Sequence, residues 1–282
     1  MSQPHGTALS HYDRGRTPFF ACQSDQRFSY CLFVPPDYDE AGLTVYDLVV
    51  LVHGTDRTAA EYRDHMAAFA TENDCVVLAP LFPVGVSSPG ELHDYKFVDY
   101  GGIRFDHVLL SMVEEVAARY RVRSDALMMH GFSGGGHFAH RFFYLHPDKL
   151  RAVSVGAPGL VTLLSSDLPW WSGTRDFEEV FGTPLDLEAM RRVPVQMVVG
   201  GEDVETWEIT VSPGDDLWVE GANAAGRTRV DRIESLRRSF QAAGIDVRLD
   251  VVPGAAHNGY ALLDAVRGFF GRSLSASVSK RA

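Results

Sequence analysis

The amino-acid sequence predicts an α/β fold in which a mostly parallel β-sheet carries helices on both faces. Apolar, β-branched segments alternate along the chain with segments whose apolar residues have helical spacing. Repeated β–α–β units of this kind form parallel sheets. The 282 residues contain no internal repeat and no linker-like stretch. Because α/β folds of this length are often single domains, we expect one domain over residues 1–282.

Eight segments are predicted to be strands. The first two flank a polar turn and are typical of a hairpin. The third, DLVVLV, has the continuous β-branched run of a strand that is buried on both faces. The predicted strands span residues 18–22, 27–34, 47–52, 75–79, 126–130, 151–156, 193–199 and 246–252.

Five segments are predicted to be helices. The second of them repeats apolar residues every four positions, at Val108, Met112, Val116 and Tyr120. The polar and basic tail from Ser273 to Ala282 is expected to fray. The predicted helices span residues 58–72, 104–120, 134–145, 227–243 and 258–270.

Charge and cysteine content limit the partners and the compartment. The net charge of −11 argues against nucleic acid or an anionic membrane surface as a partner. The first residues lack the apolar core of a signal peptide, and no apolar run reaches the roughly 18 residues needed to span a bilayer. An odd count of three cysteines favours reduced thiols and a cytoplasmic protein, although Cys22 and Cys31 could pair across the hairpin. Assembly into a homo-oligomer stays open.

The glycine-rich segment GFSGG, residues 131–135, follows a predicted strand and precedes a predicted helix. Strand, Gly-x-Ser-x-Gly and helix together form a nucleophile elbow, a tight turn that exposes the serine hydroxyl. Glycines are needed there because the backbone segments approach too closely for a Cβ. Ser133 is therefore the candidate nucleophile. The alternative is a glycine-rich turn in which the serine is incidental.

A serine nucleophile needs a base, and the candidate base is His257. It follows the last predicted strand, in the loop PGAAHNGY. The other histidines downstream of Ser133 lie within or just after the helix of the elbow, so they cannot fold back over the serine; these are His137, His140 and His146. A solvated loop histidine is the alternative for His257.

Three carboxylates follow the strand VQMVV, and one of them is expected to orient the base. The chain order of nucleophile, acid and histidine places the acid here. We favour Asp203, because a short carboxylate after a Gly-Gly turn can hydrogen-bond the imidazole. Glu202 and Glu205 are then expected to face solvent.

Backbone N–H groups are predicted to form an oxyanion hole. One belongs to Gly134, directly after the nucleophile, and the second to Thr55, after the strand that runs into His53-Gly54. His53 is expected to hold this loop by its ring nitrogens; a catalytic role is the less favoured alternative.

Taken together, the strand-HG segment at 49–54, GFSGG at 131–135, GGED at 200–203 and AAHNG at 255–259 resemble the α/β-hydrolase superfamily in order and spacing over residues 18–270. The run GFSGGGHFAHRFFYLHP is similar to small bacterial hydrolases related to polyhydroxyalkanoate depolymerases and feruloyl esterases. The resemblance implies a three-layer fold with an eight-stranded sheet. The segment HGTD departs from the HGGG run of lipase-like esterases, and serine stands where dienelactone hydrolases carry cysteine.

Two irregular stretches, residues 158–192 and 204–225, are the candidate cap over the site. They contain all four tryptophans, and we predict that Trp170, Trp171 and Trp207 contact substrate. Packing of the inserts onto the body is the equally weighted alternative for any one tryptophan. In the loop 81–101, three polar residues either contact substrate or are solvated: His93, Asp94 and Lys96. His137 and His140 are expected to be structural, because two histidines alone do not make a metal site.

These residues predict a serine hydrolase that cleaves a carboxylic ester or related acyl bond in a small molecule, with no metal or organic cofactor. A non-hydrolytic enzyme of the same fold, namely an acyltransferase, lyase or cofactor-free oxygenase, is one alternative. A catalytically silent small-molecule receptor is the other.

Overall fold

The structure, a computed structural model, describes residues 9–279. Within this part of the chain one large sheet contains nine strands, and a separate hairpin contains two more. The strands of the large sheet are β1 (Gly15–Arg16), β2 (Phe20–Ala21), β3 (Ser29–Val34), β4 (Tyr46–Val52), β5 (Cys75–Leu81), β8 (Val122–Phe132), β9 (Leu150–Gly156), β10 (Val195–Gly200) and β11 (Val247–Val252), and the hairpin is formed by β6 (Asp99–Tyr100) and β7 (Ile103–Arg104).

The large sheet has the strand order β1-β3-β5-β4-β8-β9-β10-β11, and β2 also pairs with β3. The pairings of β1, β2 and β5 with β3 are antiparallel, whereas every neighbouring pair from β5 to β11 is parallel. From the central pair β4 and β8, the sheet adds strands β5 and β3 on one side and β9, β10 and β11 on the other. The carboxyl ends of β4, β8, β10 and β11 therefore meet at one edge of the sheet, which is where open α/β sheets place their sites.

Helices cover both faces of the sheet. The first and last helices contact each other on one face, where the rings of Tyr62 and Tyr260 pack at a tilt with centroids 5.0 Å apart. On the other face, two further helices pack together through Phe143 and Phe240, whose ring centroids are 5.7 Å apart. The helices are α1 (Ala59–His65), α2 (Ala67–Glu72), α3 (Phe105–Arg119), α4 (Gly134–Leu145), α5 (Phe177–Phe181), α6 (Leu187–Met190), α7 (Arg229–Ala242) and α8 (Gly259–Ser279).

The structure confirms the three-layer α/β prediction and differs from it in detail. The sheet has nine strands rather than eight, because the two-residue β1 pairs with β3. The predicted helix over 58–72 is interrupted at Met66. The tail was predicted to fray from Ser273, but α8 continues to Ser279; residues 280–282 lie outside the described part. The predicted absence of a signal peptide concerns in part residues 1–8, which also lie outside the described part of the chain.

The three cysteines are buried free thiols, so the alternative of a Cys22–Cys31 disulfide is wrong. None of the helices in residues 9–279 has the length and apolar character needed to cross a bilayer.

Candidate active site

Ser133 lies on the turn between β8 and α4, in a backbone conformation that side chains rarely adopt. Its φ is 54° and its ψ is −113°. A Cβ on Gly131 would overlap the carbonyl of Gly135, and a Cβ on Gly135 would overlap the carbonyl of Val52. The Ser133 N–H donates to the Gly156 carbonyl at 2.9 Å and fixes the turn against β9. The glycines thus permit a close approach that holds the serine in its strained conformation.

The structure brings Ser133, His257 and Asp203 into one hydrogen-bonded chain. His257 Nε2 lies 3.0 Å from Ser133 Oγ, and His257 Nδ1 lies 2.6 Å from Asp203 Oδ2. Asp203 follows β10 and is buried, whereas the loop between β11 and α8 positions His257. Since Asp203 accepts the Nδ1 proton, Nε2 is left free to accept a proton from the serine hydroxyl.

Arg229, the first residue of α7, supports the buried carboxylate from its other side. Its Nη1 lies 3.3 Å from Asp203 Oδ1, and its Nη2 lies 2.6 Å from Glu208 Oε2. Arg229 is 2 % exposed. Arg229 therefore binds one oxygen of Asp203 and leaves the other to His257, while its positive charge is shared between Asp203 and Glu208. The sequence reasoning missed this residue, because nothing in the local pattern of α7 connects it with a loop 26 residues earlier.

The loop after β4 lies directly over Ser133. A Cβ on Gly54 would be 3.5 Å from Ser133 Cβ, an ordinary contact distance, so this loop packs directly against the serine. Thr55, the next residue, lines both cavities that contain Ser133. Gly134 begins α4, so its N–H lies at the positive end of that helix. Both predicted oxyanion residues thus lie beside the serine.

Several buried side chains fix this loop. His53 Nε2 accepts from the Phe82 N–H at 3.0 Å, and the same ring's Nδ1 lies 2.8 Å from the Gly54 carbonyl. The Arg57 guanidinium donates to the Thr55 carbonyl at 2.6 Å, and the Tyr95 hydroxyl donates to the His53 carbonyl at 3.0 Å. Burial lowers the pKa of His53 to about 3, so its ring is neutral. His53 is far better placed to hold the loop than to act as a base.

Two cavities open at Ser133. One, of about 370 Å³, lies on the His257 side and is lined by Asp56, Thr58, Tyr62 and Tyr260, among others. The second, of about 340 Å³, has mostly apolar walls formed by Leu92, Leu160, Trp207 and Ile209, with Lys96 and His137 also at its surface. Thr55, Ser133 and Glu208 line both. A substrate bound across Ser133 would place its two halves in these two cavities.

Two polar residues of the loop 81–101, Asp94 and Lys96, are buried and not solvated. Asp94 and Lys96 are 0 % and 3 % exposed, in a short 3-10 helix over Asp94–Phe97. His93 and Lys96 line the second cavity. Asp94 instead accepts the Tyr95 N–H at 2.8 Å.

The three tryptophans predicted to contact substrate have different surroundings. Trp207 is 74 % exposed and lines the second cavity. Trp171 is buried and donates its indole N–H to the Leu217 carbonyl at 2.9 Å, and Trp170 packs on Phe181 with ring centroids 4.8 Å apart. Neither lines a cavity that contains Ser133. The structure therefore places Trp170 and Trp171 in the packing of the inserts, because their neighbours are other insert and body side chains.

Three buried residues of α4 attach the first insert to the body. His137 Nε2 accepts from the N–H groups of Gly159 and Leu160 at 2.7 and 2.8 Å, and His140 Nε2 accepts from the Thr162 N–H at 3.0 Å. Arg141 donates to the Thr162 hydroxyl at 2.9 Å. The expectation that the two histidines are structural fits these contacts.

A mostly parallel sheet with a serine on a strained strand-to-helix turn defines the α/β-hydrolase fold. Solved structures of that fold are similar to this chain. A poly(3-hydroxybutyrate) depolymerase, LpqC, from Bordetella parapertussis is 22 % identical with a TM-score of 0.69, covering 86 % of this chain and 83 % of that one. Poly(aspartic acid) hydrolase-1 from Sphingomonas sp. KT-1 is 19 % identical with a TM-score of 0.71, covering 90 % and 98 %.

An S-formylglutathione hydrolase from Agrobacterium tumefaciens is 15 % identical with a TM-score of 0.60, covering 95 % of this chain and 97 % of that one. No protein-family model matches the sequence, and no curated protein matches it either. At these identities the likeness establishes the fold alone.

Proposed function

We propose that the chain is a serine hydrolase that cleaves a carboxylic ester or a related acyl bond. The observation that supports this most strongly is the hydrogen-bonded chain from Ser133 through His257 to Asp203. The fold is that of proteins named as depolymerases, esterases and hydrolases, which agrees with the proposal.

In the proposed mechanism, Ser133 Oγ attacks the carbonyl carbon of the ester while His257 Nε2 accepts the hydroxyl proton. Asp203 keeps the Nδ1 proton in place and stabilises the imidazolium that forms. The N–H groups of Thr55 and Gly134 stabilise the oxyanion of the tetrahedral intermediate. His257 then donates its proton to the leaving alcohol. A water molecule, activated by the same imidazole, releases the acid from Ser133.

The bound substrate is proposed to be small or medium-sized and partly apolar. The apolar walls of the second cavity suit a short hydrocarbon segment. Trp207, from the insert 204–225, contributes to those walls, so this insert is proposed to act as part of a cap. Cavities of about 340 and 370 Å³ suit the two halves of a small or medium-sized ester.

Labelling with a fluorophosphonate tests the proposal. Wild-type protein should gain one adduct by intact mass, and peptide mapping should place it on Ser133. Ser133→Ala should show neither adduct nor esterase activity, while Ser111→Ala, which changes a serine on α3, should match wild type in both. Loss of a catalytic serine lowers kcat by several orders of magnitude, so a residual activity of Ser133→Ala above about a few per cent would contradict the proposal. A receptor would give no adduct.

A further inference from the structure

The second cavity contains a buried ammonium group without a counter-ion. Lys96 lines this cavity although the residue is only 3 % exposed. Its Nζ donates a hydrogen bond to His93 Nδ1 at 3.0 Å, and among the described residues no carboxylate forms an ion pair with it. The ammonium has three N–H donors and the His93 ring takes one of them, so two remain for a ligand in the cavity.

The carboxylates nearest to Lys96 are already bound to other groups. Burial and the nearby Arg57 cation lower the pKa of Lys96 to about 8, so the amine still holds its proton at pH 7. Three carboxylates, Glu208, Glu91 and Asp94, raise the pKa of Lys96 from a distance, but each already binds other groups. Glu208 pairs with Arg229 at 2.6 Å, and Glu91 accepts from the His93 N–H at 2.6 Å and the Tyr100 hydroxyl at 3.1 Å. Asp94 accepts from the Tyr95 N–H at 2.8 Å and the Ser87 hydroxyl at 3.3 Å.

His137, which also lines the cavity, contains a buried ring N–H without a partner in the described part of the chain. His137 Nε2 accepts two backbone N–H groups, so the proton of this neutral ring is on Nδ1. Burial, followed by the charge of Arg141, holds the pKa of His137 well below its ordinary value. Among the described residues, His137 Nδ1 has no hydrogen-bond partner. The cavity wall thus carries a cation that no described carboxylate binds, and such a cation favours an acceptor that carries negative charge.

We propose that this cavity binds a carboxylate of the substrate and that Lys96 recognises it. This inference rests on the proposed function and names the substrate class: an ester in which an apolar segment separates the scissile bond from a carboxylate. The apolar side chains of Leu92, Leu160 and Ile209 would contact that segment. Lys96 would form the charge-assisted hydrogen bond at its end.

Matched pairs of methyl esters test the proposal. The monomethyl esters of succinate, glutarate and adipate are each compared with an isostere in which an isopropyl group replaces the carboxylate. A second series places the carboxylate on the alcohol, as in the acetate esters of 3-hydroxypropanoate and 4-hydroxybutanoate and their isosteres. The quantity measured is the ratio of kcat/KM within each pair at pH 7, by pH-stat titration.

We expect at least one wild-type pair to favour the carboxylate by about tenfold to a hundredfold, the factor that one charge-assisted hydrogen bond supplies. Lys96→Met, which keeps the length of the side chain and removes its charge, should bring this ratio close to one. Lys149→Met makes the same substitution at a lysine in the Pro147–Lys149 turn, where it pairs with Asp148, and should keep the wild-type ratio.

Two results would overturn this inference and leave the proposed hydrolase function intact. One is an equal kcat/KM for the two esters of every pair in wild type, and the other is a fall in kcat/KM in Lys96→Met that is the same for the carboxylate ester and its isostere. The second result would assign the ammonium to the oxyanion or to folding. If Lys96→Met does not fold, as judged by circular dichroism, the wild-type ratios still decide. Absence of turnover on every ester together with absence of fluorophosphonate labelling would instead reject the proposed hydrolase function, and this inference with it.

Discussion

Lowering the pH from 7.5 to 5.5 is expected to destabilise the folded chain strongly, because four histidines are buried as neutral rings. His53, His130, His137 and His140 are at most 5 % exposed. Burial lowers the pKa of His53 to about 3 and that of His130 to about 4. It also holds the pKa of His137 and His140 well below the ordinary value.

The size of the effect follows from proton linkage. An unfolded histidine has a pKa of about 6.5, so between pH 7.5 and 5.5 the unfolded chain takes up protons that the folded chain refuses. The free energy of unfolding therefore falls as the pH falls. Each histidine that stays neutral when folded costs about 1.4 kcal/mol over this interval, and four independent sites cost about 5 kcal/mol. That loss is comparable with the whole stability of a marginal domain.

Urea unfolding followed by far-UV circular dichroism at pH 7.5, 6.5 and 5.5 measures this loss. His130→Gln removes one buried histidine in β8, away from the loops of the site, and should reduce the loss by about 1.4 kcal/mol, the contribution of one histidine that stays neutral when folded. His11→Gln, at an exposed position, should leave it unchanged. A loss of less than about 2 kcal/mol in wild type, or an unchanged slope in His130→Gln, would refute the reasoning.

Three further outcomes are expected. Asp203→Asn should lower kcat by roughly 10⁴ on the best ester, since the amide favours the wrong imidazole tautomer; a loss below tenfold would contradict the role. Trp207→Ala should change the kcat/KM ratio between long and short acyl esters by about tenfold, whereas Trp218→Ala, at an exposed position outside the cavity, should keep it, and Trp171→Ala should lower the Tm without changing the ratio. The preference for carboxylate esters should fall as pH rises through about 8, where Lys96 loses its proton because burial lowers its pKa; a preference that is constant to pH 9.5 would argue against Lys96.

The parts of the site that the sequence predicts are those fixed by local chemistry. The elbow around Ser133 needs glycine at defined positions, and these glycines are visible as a pattern. His257 follows from chain order, because a parallel sheet brings the ends of its strands to one edge. The structure places His257 between Ser133 and Asp203, at hydrogen-bond distance from each.

The parts that the sequence does not predict depend on tertiary packing. Arg229 contacts Asp203 across 26 residues, and no local pattern records that distance. Lys96 looks like an ordinary polar loop residue, yet the turn around it is buried. Trp170 and Trp171 stand in a stretch without helical or strand periodicity, so the sequence could not separate tryptophans that pack the insert from Trp207, which faces a cavity.

The contacts of α4 with the first insert have a consequence for how such a protein can diversify. His137 and His140 bind the insert through backbone N–H groups, which every residue except proline offers. Arg141 adds the carbonyl of Leu160 at 3.4 Å. Most of these contacts make no demand on the side chains they hold. Eleven consecutive residues, 131–141, thus contain both the proposed nucleophile and the side chains that hold the first insert. Exchange of insert side chains can therefore alter the walls of the second cavity while residues 131–141 stay unchanged.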